Sequence, residues 1–241
     1  MKDKIELSNG VKKFLIISPH PDDSDFGAAG TVAKLVQEGN AVEYLIVSDG
    51  SKGSHKVGFG GKKLAAVRQK EQKTAAQVVG VKNVTFLGQV DGEIENTKQL
   101  RKKLVREIRR IKPDIVVSFD PSNLRFENVF RSHRDHRMVA EAVFDAIYPA
   151  AGSASFFPEV LAKGLKPHQI KEMWFYATSF PTKWVDISST LELKIKALCS
   201  HKSQVDKAEF EELIRKNAAK NAKGKKFKYA ECFRVVNFNH N

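Results

Sequence analysis

His20, Asp22 and Asp23 fall within a single turn of chain, in the stretch Ser18-Pro19-His20-Pro21-Asp22-Asp23-Ser24-Asp25, and His133-Arg134-Asp135-His136 forms a second cluster much further along. Histidine and carboxylate are proper ligands for zinc, and a catalytic zinc site takes three protein ligands and leaves a fourth position open. Three of these groups would bind metal and leave others over. A water acidified by a metal can lose its proton to a nearby carboxylate as it attacks a carbonyl, and a further histidine can steady the resulting oxyanion. The combination favours hydrolysis of an amide or ester. Each cluster alone has a plainer reading. Acidic residues after a strand can cap the next helix, and histidines near helix ends are commonly hydrogen-bonded without metal. The chemical reading gains its weight from their joint placement.

That placement depends on the elements between them. Phe14-Leu15-Ile16-Ile17 reads as a buried first strand, and Ala28, Ala29, Val32, Leu35 and Val36 recur at helical spacing up to Gly39-Asn40. Residues 41–47 give a second strand ending in Ser48-Asp49-Gly50, and residues 51–61, rich in Gly, Ser and Lys and holding His55, suit a mobile lid. A helix over 62–79 follows, then a strand at Val84-Thr85-Phe86-Leu87 and the Asp91-Gly92 turn. Leu100, Leu104, Val105, Ile108 and Ile111 share one face of the next helix, with Arg101, Lys102, Lys103, Arg106, Arg109 and Arg110 on or beside a solvated face. Residues 114–119 make a fourth buried strand, and the second cluster then opens a helix that stops before Pro149. Residues 150–167 are irregular and suit a pocket wall; strands follow around 172–177 and 184–187, helices over 191–200 and 207–219, and a last element over 231–238. Strands alternating with helices predict an α/β fold, a mostly parallel sheet built from βαβ units. In such a sheet, turns at the carboxyl ends of strands converge on one edge. Asp49, Asp91 and Asp120 are read as ordinary turn residues, and His55, His168 and His240 as exposed side chains.

Composition bounds the function. A chain of 241 residues with 41% hydrophobic and 29% charged residues is that of a globular protein, expected to form one domain over residues 1–241. Apolar runs are strand-sized, so no membrane span is expected, and the N-terminal apolar stretch is too short for a signal-peptide core; cytoplasmic residence is the expectation. Cys199 and Cys232 lack metal spacing. The net charge of +13 raises a rival reading, a non-catalytic binder of nucleic acid or an acidic surface, using Arg215, Lys216, Lys220, Lys223, Lys225, Lys226 and Lys228. Against it, the sequence has no recognised nucleic-acid motif, and a basic tail does not explain histidines and aspartates at strand ends.

The residues also carry a resemblance. His20-Pro21-Asp22-Asp23 with Gly27 and Gly30-Thr31, and His133-Arg134-Asp135-His136, resemble the two motifs of the PIG-L/LmbE-like N-acetylglucosaminyl deacetylases. Arg68 with Glu71, residues 81–92, residues 112–117, Trp184-Val185-Asp186-Ile187-Ser188 and the segment from Lys196 to Gln204 resemble family segments in the same order. The resemblance implies a Rossmann-like three-layer sandwich and zinc, or another divalent metal, held by His20, Asp23 and His136. It further implies Asp22 as general base, His133 as oxyanion stabiliser and leaving-group acid oriented by Asp135, and Arg68 in contact with the sugar. The implied activity is removal of an acetyl group from an N-acetylglucosamine-type sugar or conjugate, by a protein that the resemblance makes a homo-oligomer; a hydrolase of another amide is the nearest alternative. Two departures stand out. Ser24 occupies the position where many members have Glu directly after the aspartate pair, with Asp25 following it, and Arg131 stands where the mycothiol branch has tyrosine.

Overall fold

A computed structural model describes residues 10–54, 58–124, 126, 128–205 and 207–238, the side chains of 207–209 excepted. Strands β1 (Lys13–Ser18), β2 (Ala41–Ser48), β3 (Asn83–Gln89), β4 (Ile115–Phe119), β5 (Glu172–Tyr176), β6 (Lys183–Asp186) and β7 (Ala230–Asn237) make a seven-stranded sheet in the order β3-β2-β1-β4-β5-β7-β6. The first five run parallel, and β7 pairs antiparallel with both β5 and β6. The central strands are apolar on both faces because helices cover both. On one side α3 (Lys98–Ile111) and α5 (Arg134–Asp145) pack against Leu15, Ile17, Leu45 and Val116. On the other, α1 (Asp23–Gln37), α2 (Gly61–Val78) and α7 (Leu191–Leu198) cover Phe14, Ile16, Tyr44 and Val117. This is the three-layer α/β architecture expected.

Local chemistry sets the element ends. Thr97 caps α3 by accepting the Leu100 N–H at 3.2 Å, and Lys112 closes it in the left-handed region before Pro113. Helix α5 does not stop cleanly before Pro149. A π-helical segment, Ala146–Ala151, continues it, and the kink falls at Tyr148, which is extended because the following proline disfavours the helical region. Short helices α4 (Val129–Ser132) and α6 (Pro158–Leu161) and the longer α8 (Lys207–Asn221) complete the described chain.

Three expectations are corrected here. Arg109 is not on a solvated face: it is fully buried, and its guanidinium donates to the carbonyls of Ala150, Ala151, Ser153 and Phe156, tying the irregular segment to α3. That segment walls a separate cavity of about 500 Å³ with Lys98 and Arg101, away from both motifs. His168 is half-buried, its Nε2 2.7 Å from the Pro113 carbonyl. His55, at the centre of the expected lid, and His240 lie outside the described residues.

Candidate metal centre and active site

Strand order determines where the site lies. The chain leaves β1 towards β2 and β3 on one side, then crosses back to β4 on the other, so β1 and β4 flank the topological switch point at the carboxyl edge. The turn after β1 carries His20, Asp22 and Asp23, and the loop and helix start after β4 carry His133, Asp135 and His136. Crossing back to β4 brings the two motifs together. Asp23 and Asp25 occupy the first turn of α1, where the helix dipole favours negative charge.

His20 Nδ1, Asp23 Oδ2 and His136 Nε2 form a triangle with edges of 3.1, 3.2 and 3.3 Å. Ligand bonds of about 2.0–2.1 Å in a tetrahedron separate the donor atoms by roughly 3.3 Å. The triangle therefore fits a zinc-sized ion, and its donor set of two imidazoles and one carboxylate suits one. All three side chains are buried. The His136 ring lies between Phe119, with centroids 4.2 Å apart, and Phe130, at 4.9 Å, so aromatic packing sets its plane.

The other nitrogen of His20 faces carboxylates: Nε2 is 3.0 Å from Asp135 Oδ2 and 3.2 Å from Asp91 Oδ1. A ligating histidine whose second nitrogen donates to a carboxylate has its tautomer and ring orientation held. Burial works against a charged imidazole here, but the hydrogen bonds to Asp135, Asp23 and Asp91 outweigh it and hold the His20 pKa well above its ordinary value. Burial likewise opposes ionisation of Asp91, yet His20, the Lys52 N–H and Arg68 bring its carboxyl down to about 2. Burial opposes ionisation of Asp23 too, and His136 and His20 overcome it, keeping its carboxyl far below the usual range.

Asp135 is placed differently from the expectation that it orients His133. Its carboxylate accepts from the backbone N–H groups of Gly92, at 2.7 Å, and Ile94, at 3.3 Å, and meets His20. It reaches His133 only through its own backbone N–H, which donates to His133 Nδ1 at 3.2 Å. Neutral His133 therefore carries its proton on Nε2. Its ring is exposed, 5.0 Å from the rings of both His20 and His136. Partial burial and the neighbouring His20 and His136 lower its pKa, which favours the neutral form.

Asp22 sits directly before α1 at φ 104°, a conformation that costs a non-glycine residue about 1–3 kcal/mol. Its Oδ2 is 3.1 Å from Arg68 Nη2, which also donates to the Pro21 carbonyl at 2.7 Å. Burial raises the Asp22 pKa; the Arg68 charge opposes that rise and the Asp23 charge adds to it. Arg68 is itself buried, with Nη1 donating to Gly50 O at 3.2 Å and 3.7 Å from Asp91 Oδ2. It sits beneath the Asp22 turn and does not line the open cavity. That cavity, about 810 Å³, holds Asp22 and Gly27, with Phe26, Phe130, Arg131 and Phe210 among its walls. Arg131 hydrogen-bonds Ser179 Oγ at 3.0 Å.

Three participants escaped the sequence reading. Asp91 looked like a turn residue, although it follows a strand and lies in the family-like segment 81–92. Gln72 carried no signal, and His201 offered only its place in the family-like segment from Lys196 to Gln204, which fits a residue near the site and one ending a helix equally; both are fully buried around Asp25. The basic stretch is dispersed rather than presented as one patch. Arg215 pairs with Glu192 and Glu211, Lys220 lines the cavity, and Lys225 lies 3.5 Å over the Trp184 ring. Among the described residues no helix is long and apolar enough to cross a membrane.

Known proteins share this fold and much of this sequence. Residues 15–147 match the family model described as PIG-L, GlcNAc-PI de-N-acetylase. A diacetylchitobiose deacetylase of Thermococcus kodakarensis is 40% identical over 199 residues, spanning 83% of this chain and 72% of that protein. The crystal structure of N,N'-diacetylchitobiose deacetylase from Pyrococcus horikoshii, complexed with its inhibitor MPG, superposes with a TM-score of 0.88 at 33% identity, covering 96% of this chain and 86% of that one. GalB, the 4-carboxy-2-hydroxymuconate hydratase of Pseudomonas putida, has a TM-score of 0.79 at 20% identity over 96% of this chain and 98% of its own. At that identity the likeness is one of fold alone, and a fold that also carries a hydratase does not by itself specify the reaction. The family match and the 40% relative go further than fold: this chain belongs to the PIG-L family of de-N-acetylases.

Proposed function

We propose that this protein is a zinc-dependent de-N-acetylase that hydrolyses the acetamide of an N-acetylglucosamine-type sugar or conjugate to acetate and the free amine. The observation that carries the reading is the triangle of His20 Nδ1, Asp23 Oδ2 and His136 Nε2, next to which Asp22 lines a cavity large enough for a sugar. The names of the relatives supply the substrate class. Zinc held by those three atoms would supply Lewis acidity toward the acetyl carbonyl and toward water.

The protein's own groups do the rest. Asp22 takes the proton of the attacking water, the pKa raised by burial making it a stronger base than an exposed aspartate, and returns that proton to the departing nitrogen as the C–N bond breaks. Arg68 holds that carboxylate in place, a role its position supports better than direct contact with the sugar. His133, neutral with its proton on Nε2, donates to the carbonyl oxygen as negative charge develops there. Asp135 and Asp91 fix His20 so that Nδ1 faces the other two ligands. Cytoplasmic residence, a single domain and self-association belong to the same proposal.

The test is acetate release from N,N'-diacetylchitobiose and from other N-acetylglucosamine conjugates, with chelator and after zinc is returned. Activity lost on chelation and restored by zinc is the expected result. Full activity in Asp22→Ala, or purified protein that binds no divalent metal, would overturn the mechanism.

A further inference from the structure

Gln72 is fully buried on α2, one helical turn after Arg68, and both side chains point at the Asp22 turn. Its Oε1 accepts the Asp22 backbone N–H at 2.7 Å, and its Nε2 donates to Asp25 Oδ2 at 2.8 Å. The orientation of the amide follows from its partners: a backbone N–H requires an acceptor and a carboxylate a donor, so the flipped amide fails at both ends. Asp25 is itself fully buried and held by His201 Nε2 at 2.9 Å and Tyr44 Oη at 3.4 Å.

This arrangement bears on catalysis through the backbone. Asp22 sits at φ 104°, where a non-glycine residue stays only if its surroundings hold it. Its carbonyl is held by the N–H groups of Asp25, at 2.8 Å, and Phe26, at 3.0 Å, both within α1. Its N–H is held from outside the helix, by Gln72 alone among the described contacts. Rotation about φ swings the Asp22 carboxylate relative to Arg68 and the three candidate ligand atoms.

We infer that Gln72 is a positioning residue for the general base: clamped by Asp25 and His201, it holds Asp22 in its left-handed conformation and so aims the carboxylate at the attacking water. The inference rests on the de-N-acetylase reading for the role of Asp22, while the clamp itself is a statement about structure. It also gives a function to Asp25, which stands where this chain departs from the commonest form of the motif.

The experiment uses Gln72→Leu, Gln72→Glu and the double variant Asp25→Asn/Gln72→Glu, assayed on N,N'-diacetylchitobiose with zinc content and melting temperature measured alongside. Gln72→Leu is expected to lose about 10- to 100-fold in kcat, the scale of a misplacement near one ångström. KM and zinc content stay unchanged. Gln72→Glu sets two carboxylates against each other and falls similarly. Adding Asp25→Asn reverses donor and acceptor between the two positions, with His201 Nε2, which meets the same Asp25 oxygen, turning acceptor for the new amide; it keeps an acceptor for the Asp22 N–H and restores most of the kcat. A purely structural role would move melting temperature without this split between kcat and KM. Gln72→Leu within about twofold of the parent kcat overturns the inference, and if that variant does not fold, a double variant no faster than Gln72→Glu does so. A crystal structure of Gln72→Leu decides the clamp without any assay: Asp22 leaving positive φ and Arg68 supports it, and Asp22 unmoved refutes it. A parent protein that releases no acetate defeats the functional reading and leaves that structural arm to judge the clamp.

Discussion

Gly27→Ala is the substitution whose cost can be worked most directly. A Cβ at Gly27 would lie 2.3 Å from Tyr176 Cδ2, 2.7 Å from Cγ and 2.8 Å from Cε2. Carbon atoms at rest stand about 3.5–4.0 Å apart, so helix or ring must give by more than about 1 Å. The ring cannot yield easily: it is buried, packs on Phe119 at 4.6 Å between centroids, and its hydroxyl is 3.2 Å from Ser18 Oγ. Overpacking of this degree belongs near the upper end of the usual 1–3 kcal/mol. The better helix propensity of alanine returns about 1 kcal/mol. The net loss of about 2 kcal/mol corresponds to a fall in melting temperature of roughly 4–8 °C for a chain of this size. If α1 moves rather than the ring, Asp23, one turn before Gly27, moves away from His20 and His136, so added zinc raises the melting temperature less than in the parent. The assay is thermal unfolding by circular dichroism with and without zinc. Gly60→Ala is the control, since its Cβ meets only Ser51 O at 3.5 Å. Gly27→Ala melting within about 1 °C of the parent, with the same response to zinc, would refute the argument.

Asp22→Asn keeps shape and removes the proposed base, so kcat should fall by about 10²- to 10⁴-fold while bound zinc per chain, measured by metal analysis, is unchanged. His133→Ala removes the proposed donor to developing charge and should lower kcat about 10²- to 10³-fold with little change in KM, read from acetate-release kinetics. Asp114 predicts a pH effect on stability. Burial works to raise its pKa, but Lys171 Nζ at 2.7 Å and the Lys13 N–H at 2.9 Å prevail and lower it. A depressed folded-state pKa gives stability that is present above the unfolded value of about 3.9 and lost as pH falls through the folded value. Urea unfolding of Asp114→Asn should therefore show a shallower acid-side decline than the parent, and an identical slope would remove Asp114 from the account.

Much of the architecture was legible because it is local. Alternating apolar strands and amphipathic helices declare themselves through side-chain periodicity, and β1, α3 and β4 appear close to where the residues place them. The motif glycines have a physical reason in the structure: Gly27 lies against Tyr176, and Gly30 against Ile187, whose Cδ1 would be 2.9 Å from an added Cβ. Arg109 was misread because six basic residues of one helix look alike in sequence, whereas in space the Arg109 guanidinium meets four carbonyls of a segment more than forty positions away.

By itself the sequence determined which groups each turn can offer: imidazoles and carboxylates at strand ends, with helices starting directly after them. Only the tertiary structure decided which group meets which. The order β3-β2-β1-β4 sets the turn after β3 and the helix after β4 around the turn after β1, so His20 faces Asp91 and Asp135 as well as Asp23 and His136. Those partners lie between 3 and 116 positions from His20 along the chain. The physical reason is that hydrogen bonds and metal ligation depend on separations of about 2–3 Å in space, and only strand order and helix packing set those separations between groups so far apart in sequence.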